Sequence, residues 1–571
     1  MDNLAAYEKR PWLQFYDEGV PHDIDVPELS VADAIEEACQ RYASKAALIF
    51  YGKKITYRAL GEDIKRCAEG LKSVGVKKGD RVALYLLNSP QFIISYFAIL
   101  RLGAVVTPVS PVYTSSEIRH QLEDSGAKVV ICQDILYEKV EKSGVELDAV
   151  VVTAIADYLP ALKRLFTVGP LGRLIPGAAG AQVKVPQGER IHQFRDLLKS
   201  ATGTSEPAAI DPANDLAVLP YTGGTTGNPK GVMVTHRNLI AARAQGEALT
   251  YVFNEGRETL LAFLPFFHIY GQVVIMLGGL TGGHTLVLFT TADTESILQA
   301  MEDYQVTAFY GVPTLYEYLK DHKDTHKVNW KRLKLVLCGA DTLHKSTVDG
   351  WKQRTGTQII EGYGLSESCA ASHVNPLQRP KAGSFGIPLP SLYAAVADPE
   401  SEQFLPVGEV GELLMSGPNI MKGYWSNEEE SKKTLVEIDG RLWLRTGDMV
   451  SMDEEGYFHY VDRRKDLIKH KGYSIFAKDI EDVLYNHEKV KAAGVVGVPD
   501  PAVGEQIKAI VVLQPEARGK VSEDELREFL SEQLAPYKVP KFIEFRGELP
   551  KTDVGKVSRR ELREESGEAQ Q

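Results

Sequence analysis

The strongest constraint on the fold is a repeated alternation of helical and strand-like segments. Helical spacing runs through Tyr57–Val74, Ser89–Leu102 and Ser115–Ser125. Short apolar runs lie between them at Arg81–Leu87 and Ala104–Val109. Since parallel strands need long crossover connections, usually helices, this alternation predicts an α/β fold in which helices cover parallel sheets.

The same alternation continues along the chain and then changes character near Lys465. Further segments of this kind are predicted at Lys128–Cys132, Leu260–Leu264, Ile297–Tyr304, Ala308–Val312 and Leu333–Leu337. Beyond Lys465, a smaller α+β pattern is predicted from Asp479–Asn486, Ala492–Val498, Ile507–Leu513 and Glu523–Leu534. We therefore predict an N-terminal domain over residues 1–464 and a C-terminal domain over residues 465–571.

Composition excludes several classes of protein. The 571 residues carry a net charge of −12, with 44% hydrophobic and 25% charged residues, which is typical of a globular protein and disfavours nucleic-acid binding. Five cysteines without a CxxC pair, and an N-terminus without a secretory signal, predict a cytoplasmic protein. The apolar stretch Val273–Phe289 contains His284 and four glycines, so it predicts a buried helix–strand unit rather than a membrane span.

A glycine- and threonine-rich segment, Tyr221–Gly231, predicts a phosphate-binding loop. Its sequence is YTGGTTGNPKG, in which glycines let the backbone approach phosphate oxygens while threonine hydroxyls and Lys230 interact with them. Lys230 follows a proline and precedes a glycine, so the segment does not fit the Walker A pattern.

This loop resembles the signature of the adenylate-forming superfamily, which includes acyl-CoA synthetases, aryl-CoA ligases, luciferases and adenylation domains of peptide synthetases. The resemblance extends from Ser30 to Leu562, with a glycine at Gly223 where the family usually has serine. It implies a large N-terminal domain of helix-flanked mixed and parallel sheets with a β-barrel-like subdomain, and a small mobile α+β C-terminal domain. It also implies the use of ATP, Mg²⁺ and CoA.

A second motif, Glu361–Glu367 with the sequence EGYGLSE, resembles the family's adenine and metal site. The resemblance implies that Tyr363 stacks on adenine, that Ser366 contacts phosphate and that Glu367 binds Mg²⁺. A carboxylate beside a triphosphate is costly unless it holds a cation, which agrees with the last role. The segment Gly339–Asp341 resembles the family's backbone contact to adenine.

Further motifs follow in the order usual for the family. Asp448, at the end of WLRTGD, is the implied ribose ligand. Within DRRKDLIKHKG, the resemblance assigns Arg463 to the nucleotide, Lys465 to the hinge and Lys471 to the CoA channel; Asp462 stands where a glycine is usual.

Two more residues complete the predicted catalytic set. Lys556, in PKTDVGKVSR, resembles the terminal catalytic lysine of the family, and His268, in LPFFHIYG, resembles a histidine between the adenylate and the acyl tunnel. The predicted catalytic residues are Lys556, Glu367, His268 and Arg463, and the predicted metal contacts are Glu367 and Thr222. The predicted nucleotide and CoA contacts are Thr222, Gly223, Gly224, Thr225, Thr226, Gly227, Lys230, Gly339, Ala340, Asp341, Glu361, Gly362, Tyr363, Gly364, Ser366, Asp448, Arg463, Lys465, Lys469, Lys471 and Gly472.

The implied reaction joins a carboxylic acid to AMP with release of pyrophosphate, and then transfers the acyl group to CoA. The apolar segment Pro265–Gly271 favours an uncharged tail, and the glycines of Gly278–Gly283 suggest room for a long chain, so the pattern most resembles bacterial medium- to long-chain fatty acyl-CoA synthetases. An aryl-CoA ligase of the 4-coumarate type and a fatty acyl-AMP ligase without the CoA step are the alternatives. An inactive lipid-binding homologue is disfavoured because Lys556 and Glu367 are present.

The predicted partners are a fatty acid, ATP and CoA, and no nucleic acid is expected. A monomer or a homodimer is expected. Residues 159–188 contain four basic and no acidic residues before Glu189, together with apolar side chains, so peripheral membrane contact is a hypothesis for this segment.

Overall fold

The structure is a computed structural model. It describes residues 3–160, 163, 183–204, 206–222, 229–291, 293–341, 343–471, 473–551 and 557–568. The chain divides into two compact units. The larger unit comprises Trp12–Tyr393 and Met415–Leu444, and the smaller unit comprises Met1–Pro11, Ala394–Leu414 and Arg445–Gln571.

The helices of the described residues are α1 (Leu4–Glu8), α2 (Val31–Arg41), α3 (Tyr57–Ser73), α4 (Pro90–Arg101), α5 (Ser115–Ser125), α6 (Tyr137–Ser143), α7 (Phe194–Ser200), α8 (His236–Leu249), α9 (Gly278–Thr281), α10 (Thr294–Asp303), α11 (Pro313–Asp321), α12 (Lys345–Thr355), α13 (Glu428–Thr434), α14 (Ala477–Tyr485), α15 (Glu523–Gln533) and α16 (Arg559–Glu568). A π-helix, Gly271–Leu277, leads into α9. Side chains start several of these helices. The Ser89 hydroxyl accepts from the Phe92 amide before α4, and Thr114 and Glu117 form a capping box at α5.

The strands are β1 (Ala46–Phe50), β2 (Lys53–Thr56), β3 (Arg81–Tyr85), β4 (Val105–Pro108), β5 (Val129–Gln133), β6 (Ala149–Thr153), β7 (Ile191–Gln193), β8 (Leu216–Val218), β9 (Tyr221–Thr222), β10 (Lys230–Thr235), β11 (Thr259–Ala262), β12 (Thr285–Leu288), β13 (Ala308–Gly311), β14 (Leu335–Cys338), β15 (Ile360–Tyr363), β16 (His373–Val374), β17 (Ile387–Pro388), β18 (Tyr393–Ala397), β19 (Gly411–Ser416), β20 (Gly423–Tyr424), β21 (Leu435–Ile438), β22 (Arg441–Met452), β23 (Phe458–Arg463), β24 (Ile468–His470), β25 (Tyr473–Ile475), β26 (Val490–Asp500), β27 (Gly504–Leu513) and β28 (Phe542–Arg546).

The larger unit contains two nine-stranded sheets. The first has the order β17-β16-β15-β14-β13-β11-β12-β1-β2 and is parallel from β1 to β15. The second has the order β20-β10-β8-β4-β3-β5-β6-β7, with β9 paired to β10, and it is parallel from β8 to β7. Because parallel strands end at the same edge, the first sheet brings the ends of β13, β14 and β15 together.

The apolar core beside the first sheet is rich in aromatic residues. Phe309, Tyr316, Trp330 and Trp351 are all buried there, and the rings of Trp330 and Trp351 meet edge to face with centroids 4.8 Å apart. This rigid core fixes the strands whose ends carry the predicted nucleotide motifs.

The smaller unit has its own core and sheet. β25, β24, β27 and β26 are neighbours in that order, and β28 runs parallel to β27. Its buried residues include Ile475, Ile480, Val495, Ile510 and Leu526. β18, β19, β22, β21 and β23 form a further five-stranded sheet. β23 pairs with the residues of β22 that lie in the smaller unit, while β21 pairs with residues 441–444, which lie in the larger one.

The predicted fold class is confirmed. Strands and helices alternate as predicted from Tyr57 to Cys132, and Val273–Phe289 forms a helix–strand unit. Among the helices that the structure describes, none is both long enough and apolar enough to cross a bilayer. The predicted hinge at Lys465 lies inside the smaller unit, which also includes segments that precede it. The hinge stays a prediction, since a division into compact units does not locate a pivot.

Candidate active site

The predicted adenine contacts lie where β14 and β15 end in the larger unit. Gly339 follows β14, and its amide donates to the Gly311 carbonyl at the end of β13 at 3.2 Å. Ala340 has a φ of 78°, a backbone conformation that residues with a side chain rarely adopt. The exposed Asp341 follows it. Glu361 and Gly362 lie on the neighbouring strand, where Glu361 pairs in register with Cys338. The two motifs therefore share one sheet edge.

Tyr363 is held by two aromatic neighbours. The Phe385 ring lies 4.6 Å from it at an interplanar angle of 36°, and the His373 ring meets it edge-on at 5.9 Å. Burial lowers the pKa of His373 to about 3, so this ring is neutral at physiological pH. One ring at a strand end, supported from behind, is suited to stack on a planar base.

The turn after β15 permits no side chain at Gly364. A Cβ there would lie 1.4 Å from the Ala370 carbonyl oxygen. Cys369 and Ala370 have φ values of 53° and 83°, so the chain reverses sharply behind Ser366 and Glu367. This tight turn fixes the backbone that carries Glu367.

Glu367 suits a cation that arrives with a nucleotide. Its Oε1 accepts a hydrogen bond from the Tyr424 hydroxyl at 2.8 Å, and no lysine or arginine pairs with it among the described residues. The described residues also contain no group of three or more potential metal-ligating side chains. Mg²⁺ is commonly bound by one or two carboxylates plus substrate phosphates, so this single carboxylate fits that ion.

The predicted phosphate loop is the connection between two paired strands. Thr222 on β9 pairs in register with Lys230 on β10, and the Thr222 hydroxyl lies 3.5 Å from the Lys230 carbonyl oxygen. Lys230 forms a salt bridge with Glu430, and its Nζ lies 4.7 Å above the Tyr424 ring. The predicted contacts between them, Gly223, Gly224, Thr225, Thr226 and Gly227, lie outside the described residues.

His268 lies in a bend that precedes the π-helix. Its Nδ1 accepts from the Tyr270 amide at 3.3 Å, and its own amide donates to the Pro265 carbonyl. Gly271 is required at this bend because a Cβ would lie 2.4 Å from the Pro265 carbonyl oxygen. The buried Tyr270 hydroxyl has no hydrogen-bond partner among the described residues, and its ring faces Gly339. His268 and the adenine edge are thus neighbours through Tyr270.

Two of the glycines after this segment lie against close neighbours, and the suggestion that Gly278–Gly283 leave room for a long chain stays a prediction. A Cβ at Gly279 would lie 2.8 Å from a Leu286 methyl group, and one at Gly283 would lie 2.4 Å from the Tyr42 ring. These glycines allow the short helix α9 to pack closely on its neighbours.

In the smaller unit, two predicted nucleotide contacts pair with each other. Asp448 on β22 lies in register with Arg463 on β23, and its Oδ1 is 3.3 Å from the Arg463 Nε. Asp448 is buried and Arg463 is partly exposed. Lys469 lies on β24. Lys471 follows the strand and has a φ of 51°. Gly472 and Lys556 lie outside the described residues.

The predicted hinge is flanked by a largely buried charge cluster that sequence reasoning missed. Arg559 contacts Asp462 at 2.6 Å, Asp466 at 3.3 Å and Glu481 at 2.5 Å. Arg559 and Arg563, next to Asp466, help to keep the pKa of Asp466 low against the opposing effect of burial. The two carboxylates on either side of Lys465 are therefore bound by one cation. The one sequence feature that could have indicated this cluster was Asp462, which stands where the family usually has glycine.

Family profiles and relatives match nearly the whole chain. The profile described as AMP-binding enzyme matches residues 35–425, and the one described as AMP-binding enzyme C-terminal domain matches residues 479–556. A long-chain-fatty-acid–CoA ligase of Bacillus subtilis (strain 168) is 39% identical over 566 residues, covering 98% of this chain and 99% of the relative. A feruloyl-CoA synthase of Amycolatopsis sp is 34% identical over 520 residues, covering 90% and 95%. The ATP-bound structure of MatB from Rhodopseudomonas palustris has a TM-score of 0.81 and 28% identity, covering 95% of this chain and all of that one.

Proposed function

Because this chain belongs to the AMP-binding enzyme family, we propose that it is an AMP-forming ligase that activates a long-chain fatty acid and transfers the acyl group to CoA. The observation that carries the proposal is the pairing of Tyr363 and Glu367 around the end of β15. Tyr363 presents a supported ring for a base, and Glu367 presents a carboxylate without a basic partner among the described residues. ATP carries a planar base and a magnesium-binding triphosphate on one molecule, so its site must offer both chemistries.

In the first step, a carboxylate oxygen of the acid attacks the α-phosphorus of ATP. The bond from that phosphorus to the bridging oxygen breaks, and pyrophosphate leaves. Tyr363 orients the adenine, Asp448 and Arg463 bind the ribose and phosphate, and Lys556 donates to the oxygens where negative charge develops. Glu367 would hold a magnesium ion, which when bound would neutralise charge on the phosphate oxygens.

In the second step, the CoA sulfur attacks the acyl carbon, and AMP leaves with one oxygen of the original carboxylate. The thiol proton is released to solvent. Lys469, Lys471 and Gly472 contact CoA in this step. A rotation about Lys465 replaces Lys556 at the reaction centre with these residues. Each of the two groups of basic residues in the small domain then serves one step.

The acid is assigned to the fatty-acid class from two features. The segment around His268 carries no acidic side chain that could bind a substrate amine, and Phe266 and Ile269 on it are buried. The 39%-identical relative is named a long-chain-fatty-acid–CoA ligase. An acyl-AMP ligase without the CoA step is disfavoured, because β24 and β25 form a short hairpin that leads directly into α14, with no insertion after the hinge.

The second candidate is an aryl-CoA ligase, and one observation favours it. The buried Tyr270 hydroxyl, which has no partner among the described residues, could bind a polar ring substituent better than a methyl terminus. The feruloyl-CoA synthase relative matches 90% of this chain at 34% identity.

A substrate panel separates these functions. ATP–pyrophosphate exchange is measured with saturated fatty acids of increasing length and with 4-coumarate and ferulate, first alone and then with CoA to detect thioester. Exchange and thioester with long-chain acids, but neither with the aromatic acids, are expected. Thioester formed mainly from aromatic acids would assign the second function, and exchange without thioester would assign an acyl-AMP ligase.

Peripheral membrane contact through residues 159–188 is a separate proposal. Most of this segment, residues 161–162 and 164–182, lies outside the described residues. Of its basic residues, Lys163 donates to the Tyr51 carbonyl at 3.0 Å, which supports packing on the protein instead. Sedimentation with anionic and neutral vesicles decides between them, since membrane contact requires stronger binding to the anionic vesicles.

A further inference from the structure

The Tyr424 side chain links two elements of the nucleotide site that are far apart in sequence. Its hydroxyl donates to Glu367 Oε1 at 2.8 Å, and Lys230 Nζ lies 4.7 Å above its ring. We propose that Tyr424 is a positioning residue that fixes the Glu367 carboxylate for the magnesium–triphosphate group and sets Lys230 beside it. This inference rests on the proposed function, because it assigns a role within the same site.

The backbone of Tyr424 is itself rigid. Tyr424 lies on β20, which pairs with Val232 and Met233 of β10, the strand that begins at Lys230. Its amide donates to the Ser431 hydroxyl at 2.8 Å, and the residue is 6% exposed. The phenol therefore projects from a fixed point of the sheet, and the phosphate-loop strand is its direct neighbour.

A phenol has a specific advantage as the partner of a metal-binding carboxylate. A lysine or arginine would hold Glu367 equally well but would cancel its charge. Tyr424 donates one neutral hydrogen bond and leaves the negative charge for a cation. A tyrosine hydroxyl ordinarily titrates at about pH 10, so it is a neutral donor at physiological pH.

The ring has a second role toward Lys230. The ammonium group rests on the aromatic face and pairs with Glu430 at 2.5 Å, so it is held close to the carboxylate that the hydroxyl orients. A triphosphate bound beside Tyr424 would contact the ammonium group of Lys230 and the metal held by Glu367. Removing the hydroxyl and removing the ring should therefore have different consequences.

The experiment measures binding, without fatty acid or CoA. Mn²⁺ is titrated calorimetrically into the full-length enzyme saturated with α,β-methylene-ATP, which cannot release pyrophosphate. Tyr424→Phe keeps the ring, and we expect about tenfold weaker Mn²⁺ binding with unchanged affinity for the metal-free nucleotide. Tyr424→Leu should also weaken metal-free nucleotide binding, because Lys230 loses its aromatic support.

Tyr158→Phe is the matched control. The Tyr158 hydroxyl donates to Asp63 Oδ2 at 2.8 Å, so the same chemical group is removed from the same kind of bond at another place in the larger unit. Mn²⁺ affinity should not change in this variant. Mn²⁺ binding by Tyr424→Phe within twofold of the wild type would overturn the proposal.

A second comparison keeps the test valid if Tyr424→Phe is less stable. In the Glu367→Gln background, Tyr424→Phe should cause no further loss of Mn²⁺ affinity, because Tyr424 acts through Glu367. An equal loss in both backgrounds would assign Tyr424 a merely structural role. Failure of the proposed function would appear elsewhere, as a wild-type enzyme that binds Mn²⁺ and nucleotide but forms no thioester from fatty acids.

Discussion

At the scale of single residues, the proposed function depends on what surrounds the side chains of the site. The described partner of the Glu367 carboxylate is a neutral hydroxyl rather than a cation. His373 is uncharged because burial lowers its pKa to about 3. The proposed metal ligand and the residue that supports the proposed adenine-stacking ring therefore lie in one motif and its return strand.

Glu367→Gln should preserve the fold and impair adenylation. The amide retains the size of the side chain and can still accept from Tyr424, but it cannot hold a cation. The loss should cost several kcal/mol of transition-state stabilisation, on the order of a hundredfold or more in rate. ATP–pyrophosphate exchange is measured over a Mg²⁺ titration, and an unchanged rate at limiting Mg²⁺ would remove Glu367 from the metal site.

His373 should make stability fall as the solution becomes acidic. Its unfolded pKa is about 6.5 and its folded pKa is about 3, so between these values only the unfolded chain binds the proton. From pH 6.5 to pH 5 this costs about 2 kcal/mol. His373→Leu should therefore reduce the difference in unfolding free energy between pH 7 and pH 5 by about that amount. Urea denaturation at both pH values provides the measurement, and identical pH dependence in the two proteins would contradict the assignment.

At the scale of elements, regular periodicity was sufficient to predict much of the fold. α5 has the predicted bounds, and α3, α4, β3 and β4 differ from their predictions by only one or two residues at either end. These elements are long and strongly patterned. The short strands β16 and β17 were not predicted, because two residues carry no period, yet β16 brings His373 to Tyr363.

The site residues stay predictions, but the structure shows which of their neighbours the sequence could indicate. Local sequence indicated motif residues at strand ends, such as Gly339 after β14 and Tyr363 at the end of β15. The partners Tyr424, Phe385 and Arg559 were not, because they approach from distant parts of the chain and each is an ordinary residue in its own segment. Local patterns locate a backbone, whereas side-chain partners depend on tertiary packing.

The turn after β15 should not tolerate any side chain at Gly364. In Gly364→Ala the new Cβ would meet the Ala370 carbonyl, and the turn that carries Glu367 would have to move. We expect a loss of about 2–3 kcal/mol in stability together with impaired adenylation. Gly246→Ala in α8 is the matched control, since no heavy atom lies within 4 Å of the added Cβ. It should be neutral or stabilising by about 0.5–1 kcal/mol, and equal destabilisation by both changes would refute the steric argument.

At the scale of the whole molecule, the proposed mechanism requires one domain to serve two reactions. Lys465 lies between Asp462 and Asp466, and both carboxylates are bound by Arg559. The chain on either side of the predicted pivot is thus tied to the start of α16, three residues beyond Lys556. The charge cluster thus connects the predicted hinge segment around Lys465 with the segment that follows Lys556, and the proposed domain rotation depends on both.

Lys556→Ala and Lys465→Pro should separate the two half-reactions. The first removes a donor used in adenylation, at a cost of about 3–4 kcal/mol, and should largely spare thioester formation from supplied acyl-AMP. The second restricts φ at the predicted pivot and should impair thioester formation more than adenylation. Single-turnover assays of each half-reaction test both variants. Equal slowing of both halves by Lys556→Ala would show that Lys556 is a structural anchor rather than an adenylation residue.

The central claim is that a fatty acid becomes acyl-AMP before it reaches CoA, and isotope transfer tests it directly. The wild-type enzyme is supplied with a long-chain fatty acid labelled with ¹⁸O in both carboxylate oxygens, together with ATP, Mg²⁺ and CoA, and the products are analysed by mass spectrometry. The proposed reaction predicts long-chain acyl-CoA and an equal amount of AMP that contains one ¹⁸O atom. Unlabelled AMP, or the label in inorganic phosphate beside ADP, would contradict it.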